Sequence, residues 1–217
     1  MIRVLVVEDE ELVRAGIVRL LSTAPDLETV GEGADGAEAI ALVRELHPDV
    51  VLLDMRMPVL DGLDAIIGIR REHPEVAIVV LTSYLTDEYL VPALRAGAVG
   101  FLLKESTPEE LKHGIRDAAA GNSVLSPAAA RRLLMIASAS ASGGRAAARE
   151  ALYALAPQER AVVSLVAEGL SNADIARRLF LAESTVKAYL AGAMTKLGTS
   201  NRTQTAILAL EADLDAV

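Results

Sequence analysis

The 217 residues carry 21 Lys and Arg against 30 Asp and Glu, a formal net charge of −9, with 52% hydrophobic and 24% charged residues. The absence of Cys excludes disulfides, thiolate metal sites and Cys nucleophiles, and three scattered His (His47, His73, His113) argue against a zinc enzyme. The longest uncharged run, Ala118–Ala130, is 13 residues with Gly121 and Pro127 inside it, short of the ~18–20 apolar residues of a spanning helix. Acids also follow Met1–Val7 before any signal-peptide apolar region develops. These features predict a soluble, cytoplasmic chain with no membrane partner.

Charge is unevenly placed along the chain. Residues 1–122 hold 22 acidic and 11 basic residues; residues 123–149 hold four Arg and no acid; residues 150–217 hold 8 acidic and 6 basic residues. The Ser138–Gly144 stretch contains nothing large to pack and reads as a linker. The expected organisation is a domain over 1–122, a linker with a short helix over 123–149, and a second domain over 150–217.

In the first half, Arg3–Val7 is a β-branched apolar run, followed by a helical pattern through Leu12, Ala15, Gly16, Arg19 and Leu20. Val50–Leu53 and Ala77–Leu81 are short continuous apolar runs, the signature of parallel strands covered on both faces. Gly31 and Val99–Leu103 mark two more strands. Five strands alternating with five helices predict a doubly wound α/β fold, whose site lies at the carboxyl ends of the strands. Those ends carry Glu8 and Asp9, Asp54, Thr82 and Lys104. In the fourth helix, Thr86 is a cap candidate, and Pro92 falls too deep for the first turn if the helix begins at Asp87. The spacing therefore predicts a loop or loose turn over 85–91 and a regular helix only from near Pro92.

Three clustered carboxylates favour a hard divalent cation, typically Mg²⁺. Asp54 suits a nucleophile toward a phosphoryl donor, Lys104 an amine that holds a phosphoryl oxygen, and Thr82 a hydroxyl donor to the product. Val4–Glu10, Val51–Pro58 with Asp61 and Gly62, Leu81–Ser83 and Gly97–Lys104 together resemble a response-regulator receiver domain. The resemblance implies that Asp54 is the phosphoacceptor. Glu8, Asp9, Asp54 and the Arg56 main-chain oxygen would be the magnesium ligands. Thr82 and Phe101 would form the switch pair, with Lys104 contacting the phosphate.

The second half reads as all helical. Pro157–Glu168 carries Val162, Val163, Leu165 and Val166 inward, and Gly169 ends it. Ser171 caps a helix with Ile175, Ala176 and Leu179; Glu183 or Ser184 opens another with Val186, Leu190, Ala193, Met194 and Leu197 inward; Arg202–Leu210 gives a fourth. The turn from Leu179 to Ser184 has helix-turn-helix spacing. Gly169–Ala176, Ser184–Lys187 and Lys196–Gly198 with Arg202 resemble the LuxR-type helix-turn-helix, and the whole chain resembles a NarL/FixJ-family response regulator. The recognition helix then maps onto Ser184–Leu197, with Thr185, Lys187, Ala188, Ala191, Lys196, Arg178 and Arg202 as candidate DNA-binding residues.

The implied function is a DNA-binding transcriptional regulator, not an enzyme. A sensor histidine kinase would phosphorylate Asp54, promoting homodimerisation and binding to double-stranded DNA. The alternative is a receiver-containing interaction module with weak or lost DNA reading, because Pro157–Thr205 holds only six basic residues against four acidic ones. An Asp54-dependent phosphatase lacks the Asp-x-Asp signature, since Met55 and Arg56 follow Asp54.

Overall fold

Continuous apolar runs build the sheet of the N-terminal half. The computed structural model describes residues 1–83, 86–126, 129–130, 132–133 and 145–212, and the chain divides into two compact units, Met1–Ala129 and Ala130–Val217. In the first unit, strands and helices alternate: β1 (Ile2–Val7), α1 (Glu11–Leu21), β2 (Leu27–Gly33), α2 (Gly36–Leu46), β3 (Val50–Leu53), α3 (Gly62–Glu72), β4 (Ala77–Thr82), α4 (Asp87–Ala96), β5 (Gly100–Leu103), α5 (Pro108–Ala119) and β6 (Val124–Leu125). The sheet runs β2-β1-β3-β4-β5-β6 and every pairing is parallel. All residues of β3 and β4 are buried, as expected for strands covered on both faces.

The doubly wound α/β architecture matches expectation, with one strand more than the five predicted. Val124 and Leu125 pair with Gly100 and Phe101. Gly100 makes this possible, because a Cβ there would stand 2.7 Å from the Val124 Cβ. A two-residue strand has no periodicity to read. On α1, Ile17 and Leu21 are buried whereas Leu12 is 88% exposed, so the apolar pattern begins one residue later than the sequence suggested.

The fourth helix also differs from expectation. It is regular from Asp87, with Pro92 inside it, so residues 87–91 are helical; residue 85 lies outside the described residues. Thr86 occupies the cap position, yet its side chain makes no cap hydrogen bond; its carbonyl accepts from the Tyr89 and Leu90 amides. Burial of Leu90, Ala93 and Leu94, each fully covered, holds the helix against the core despite the amide that Pro92 lacks.

The second unit contains α6 (Arg145–Tyr153), α7 (Pro157–Ala167), α8 (Asn172–Leu179), α9 (Glu183–Leu197) and α10 (Arg202–Glu211). Helix α6 starts inside the stretch assigned to the linker, and Ser138–Gly144 lies outside the described residues. Two apolar clusters form the core. One gathers Leu152, Leu155, Val163, Ala193 and Ala209; the other gathers Val162, Val166, Ile175, Val186 and Leu190. Ser171 caps α8 by accepting from the Asp174 amide, with Asp174 returning the bond, and Gly169 and Gly198 take positive φ at the ends of α7 and α9. Helix α9 opens at Glu183, one of the two starts expected, and its N-cap residue Ala182 has no side chain to bond the first turn.

Replacing Pro92 tests whether the fourth helix is held by packing alone. Pro92→Ala supplies the missing amide opposite the Glu88 carbonyl and is expected to stabilise the receiver unit by about 1–3 kcal/mol. Urea denaturation followed by circular dichroism measures this, and an unchanged midpoint would contradict it.

Candidate functional site

The parallel ladders end in the residues of the first site. The Asp54 amide donates to the Val7 carbonyl (3.0 Å), the Lys104 amide to the Thr82 carbonyl (2.9 Å), and the Glu8 amide to the Gly33 carbonyl (3.0 Å). Strand pairing thus fixes where each side chain starts. Lys104 Nζ lies 2.6 Å from Glu8 Oε2 and 3.1 Å from Asp54 Oδ2. The Glu8 contact is close but misaligned, leaving that buried oxygen without a well-formed hydrogen bond. Asp54 Oδ1 accepts from the Met55 amide at 2.8 Å. Glu8 and Asp54 are buried, Asp9 is exposed, and their carboxylate oxygens lie within 4.8 Å of one another.

Electrostatics in this pocket favour added positive charge. Burial raises the Asp54 pKa and outweighs the lowering by Lys104; Asp9 adds to the rise. Burial also raises Glu8, against Lys104 and with Asp54. Burial works against the Lys104 charge, but Glu8 and Asp54 overcome it and hold its pKa above the usual lysine value. All three groups therefore retain protons more firmly than in water, as expected where carboxylates outnumber the single ammonium. That imbalance suits a hard divalent cation, and Glu8, Asp9 and Asp54 offer oxygens only.

The loop after Asp54 is built to approach the pocket. Asp61 caps α3 by accepting from the Asp64 amide (2.9 Å), and the Gly62 amide donates to Met55 O (3.0 Å). A Cβ at Gly62 would stand 2.4 Å from Asp54 O, so only glycine lets α3 begin this close. Thr82 and Phe101 are both buried, on neighbouring strands. Arg56 places its guanidinium over the Tyr89 ring of α4, 5.5 Å from the centroid.

Two features around this pocket escaped the sequence. Arg14 donates to the Glu8 carbonyl at 2.6 Å, a contact with no local signal. Val59 has φ 64, is 85% exposed, and stands between Pro58 O and the Leu60 amide, which are hydrogen-bonded at 2.7 Å. This is the strained kind of γ-turn, and a left-handed Val costs about 1–2 kcal/mol.

In the second unit, α8 and α9 are joined by residues 180–182, a helix-turn-helix connection. Phe180 takes the left-handed conformation (φ 56) and is 95% exposed. Along α9, Lys187, Ala188 and Ala191 are exposed and Thr185 is half-buried. The other cations are engaged. Arg178 pairs with Glu168 at 3.0 Å, Arg177 with Asp174, and Lys196 with Glu159 at 2.7 Å.

Arg202 corrects its assignment as a DNA contact. It is 6% exposed, and its guanidinium donates to Asn172 Oδ1 (2.6 Å) and to the Leu170 carbonyl. Burial lowers its pKa to about 10. It ties the start of α10 to the start of α8 and is not available to a phosphate. Its position at a helix start looked like a surface cation because only the tertiary packing covers it.

Comparison with known proteins agrees with this two-unit arrangement. Residues 4–116 match the response regulator receiver domain, and residues 153–209 match the bacterial regulatory proteins of the luxR family. The DNA-binding transcriptional activator DevR/DosR of Mycobacterium tuberculosis is 40% identical over 97% of this chain and 95% of its own length. The nitrate/nitrite response regulator protein NarL of Escherichia coli is 38% identical over 94% of this chain and 93% of its own. A solved structure of two RcsB dimers bound to two parallel DNAs superposes with a TM-score of 0.56 at 26% identity, covering 99% of each chain. The chain belongs to the NarL/FixJ family of response regulators, a receiver domain followed by a LuxR-type helix-turn-helix domain.

Removing the Asp54 charge tests the burial cost directly. With its pKa raised, folded Asp54 keeps a proton that the unfolded chain has already released, so stability falls as pH rises through that window. Asp54→Asn lacks this penalty. In EDTA the variant is expected to be the more stable at about pH 7, with the gap shrinking toward about pH 4, near the ordinary carboxylate pKa. Urea denaturation across that range checks the sign, and a gap that widens on acidification would reverse it.

Proposed function

We propose that Asp54 accepts a phosphoryl group from the phosphohistidine of a sensor kinase, and that phosphorylation promotes dimerisation and DNA binding through α9. The observation that carries this is the Glu8, Asp54 and Lys104 cluster at the ends of β1, β3 and β5. Asp54 Oδ forms the new bond to phosphorus as the bond from phosphorus to the imidazole nitrogen breaks, its electron pair leaving with the imidazole. Lys104 is close enough to move with the incoming charge and hold one phosphoryl oxygen. The Met55 amide, already on Asp54 Oδ1, orients the attacking carboxylate. Thr82, buried at the end of the neighbouring strand, is positioned to receive another phosphoryl oxygen, and buried Phe101 on β5 follows it by packing.

Glu8, Asp9 and Asp54, with the Arg56 main-chain oxygen, would hold a magnesium ion. When bound, it supplies countercharge that lets a phosphoryl dianion enter an acidic pocket. The partners implied are a sensor histidine kinase, double-stranded DNA and a second copy of this chain, in the cytoplasm. The DNA-bound RcsB dimers support the dimeric form, and no described helix is long and apolar enough to cross a membrane.

With acetyl phosphate and Mg²⁺, intact mass is expected to rise by one phosphoryl group, and the same sample is expected to sediment as a dimer. Equal labelling of Asp54→Asn, or a monomer in both states, would overturn the corresponding part.

Lys187 is the cation expected to matter most to DNA. It is exposed in the first half of α9, and among the described residues it makes no ion pair. On duplexes selected by the wild-type chain, Lys187→Ala is expected to lose at least about 1 kcal/mol of specific affinity. Unchanged footprints would move the reading surface elsewhere.

A further inference from the structure

Lys196 stands in the last turn of α9, and Glu159 in the first turn of α7. Both carboxylate oxygens of Glu159 reach Lys196 Nζ, at 2.8 and 2.7 Å, and Oε2 also accepts the Ala156 amide at 2.9 Å. Ala156 has no hydroxyl with which to cap α7, so Glu159 is held in place by that amide as well as by packing. The two partners are unequal: the Glu159 side chain is 10% exposed and that of Lys196 is 51% exposed. The carboxylate is buried, while the Lys196 side chain is half exposed.

The space for this pair exists because residue 192 is glycine. A Cβ there would stand 2.9 Å from Glu159 Oε1. Gly192 sits mid-helix, where glycine is a poor choice, and the crossing of the Glu159 carboxylate accounts for it.

We propose that Glu159 withholds Lys196 from DNA phosphate, so that α9 binds DNA with one effective cation fewer than its sequence contains. This rests on the DNA-binding assignment of α9. A cation already neutralised by a fixed carboxylate has few condensed counterions to displace from DNA. To reach a phosphate it must also leave that carboxylate buried and unpaired. With Arg178, Arg177 and Arg202 occupied as well, the basic face is thin in space as well as in composition. Glu159 is thus a positioning residue that sets the electrostatic share of affinity and does not touch DNA.

The test uses the full chain, a ~25-bp random-sequence duplex and fluorescence anisotropy over roughly 50–200 mM KCl, where each neutralised phosphate steepens the slope of log K against log salt by about 0.9. Glu159→Gln keeps an oxygen for the Ala156 amide and removes the charge. It is expected to steepen the slope by about 0.9 and to bind several-fold tighter at the lowest salt. Gly192→Ala, whose Cβ crowds Glu159 Oε1 and loosens the pair, is expected to steepen the slope in the same direction by a smaller amount. Lys196→Ala alone is expected to leave the wild-type slope unchanged, and added to Glu159→Gln it is expected to cancel the gain. Unchanged slopes in both Glu159→Gln and Gly192→Ala would overturn the proposal, as would a flatter slope in Lys196→Ala alone. Failure of every form, wild type included, to bind any duplex at the lowest salt would overturn the DNA-binding assignment and this inference together.

Discussion

Three carboxylates do not gather around one ammonium in a half-buried pocket unless the backbone leaves them no choice. Here the constraint is the parallel hydrogen-bond ladder. Asp54 and Lys104 are themselves ladder residues, bonded through their amides to Val7 and Thr82, so both side chains start from the same rim of the sheet. Packing on both faces of the sheet stabilises those strands far more than the crowded charges destabilise them. The receiver therefore folds with an electrostatic deficit in place. In the proposed function a cation would relieve that deficit, and its added charge would make room for a phosphoryl group.

Much of this was legible in the sequence. Continuous apolar runs identify buried parallel strands, and the residue after each run identifies the rim. What stayed hidden depends on contacts between distant segments. The β6 strand is two residues long and exists because Gly100 leaves room for Val124. Helix α4 runs through Pro92 because Leu90 and Leu94 are buried on either side of it, a tertiary gain that a local rule about proline does not count. Arg202 has the spacing of a DNA contact and the environment of a core residue. Val59 is the reverse case: local strain, visible in the backbone, that no side-chain pattern announces.

The helix-turn-helix unit gives a different lesson about charge. Counting cations along a helix overestimates its free positive charge, because carboxylates elsewhere in the unit claim two of them. Arg178 answers to Glu168 and Lys196 to Glu159. Glu159 thus serves the fold twice, accepting the Ala156 amide at the start of α7 and pairing with Lys196 at the end of α9.

The short β6 strand carries a practical consequence for anyone cutting the chain. A receiver fragment that stopped at residue 122 would remove Val124 and Leu125 and leave the backbone of Gly100 and Phe101 unpaired on that side. Strand β5 is apolar throughout, Gly-Phe-Leu-Leu, with neither a proline nor a charge to discourage a stranger. Bare edges of this composition recruit other edges. Aggregation of such a fragment would then be an artefact of where it was trimmed, and two residues of β-strand act as a guard rail for the whole sheet.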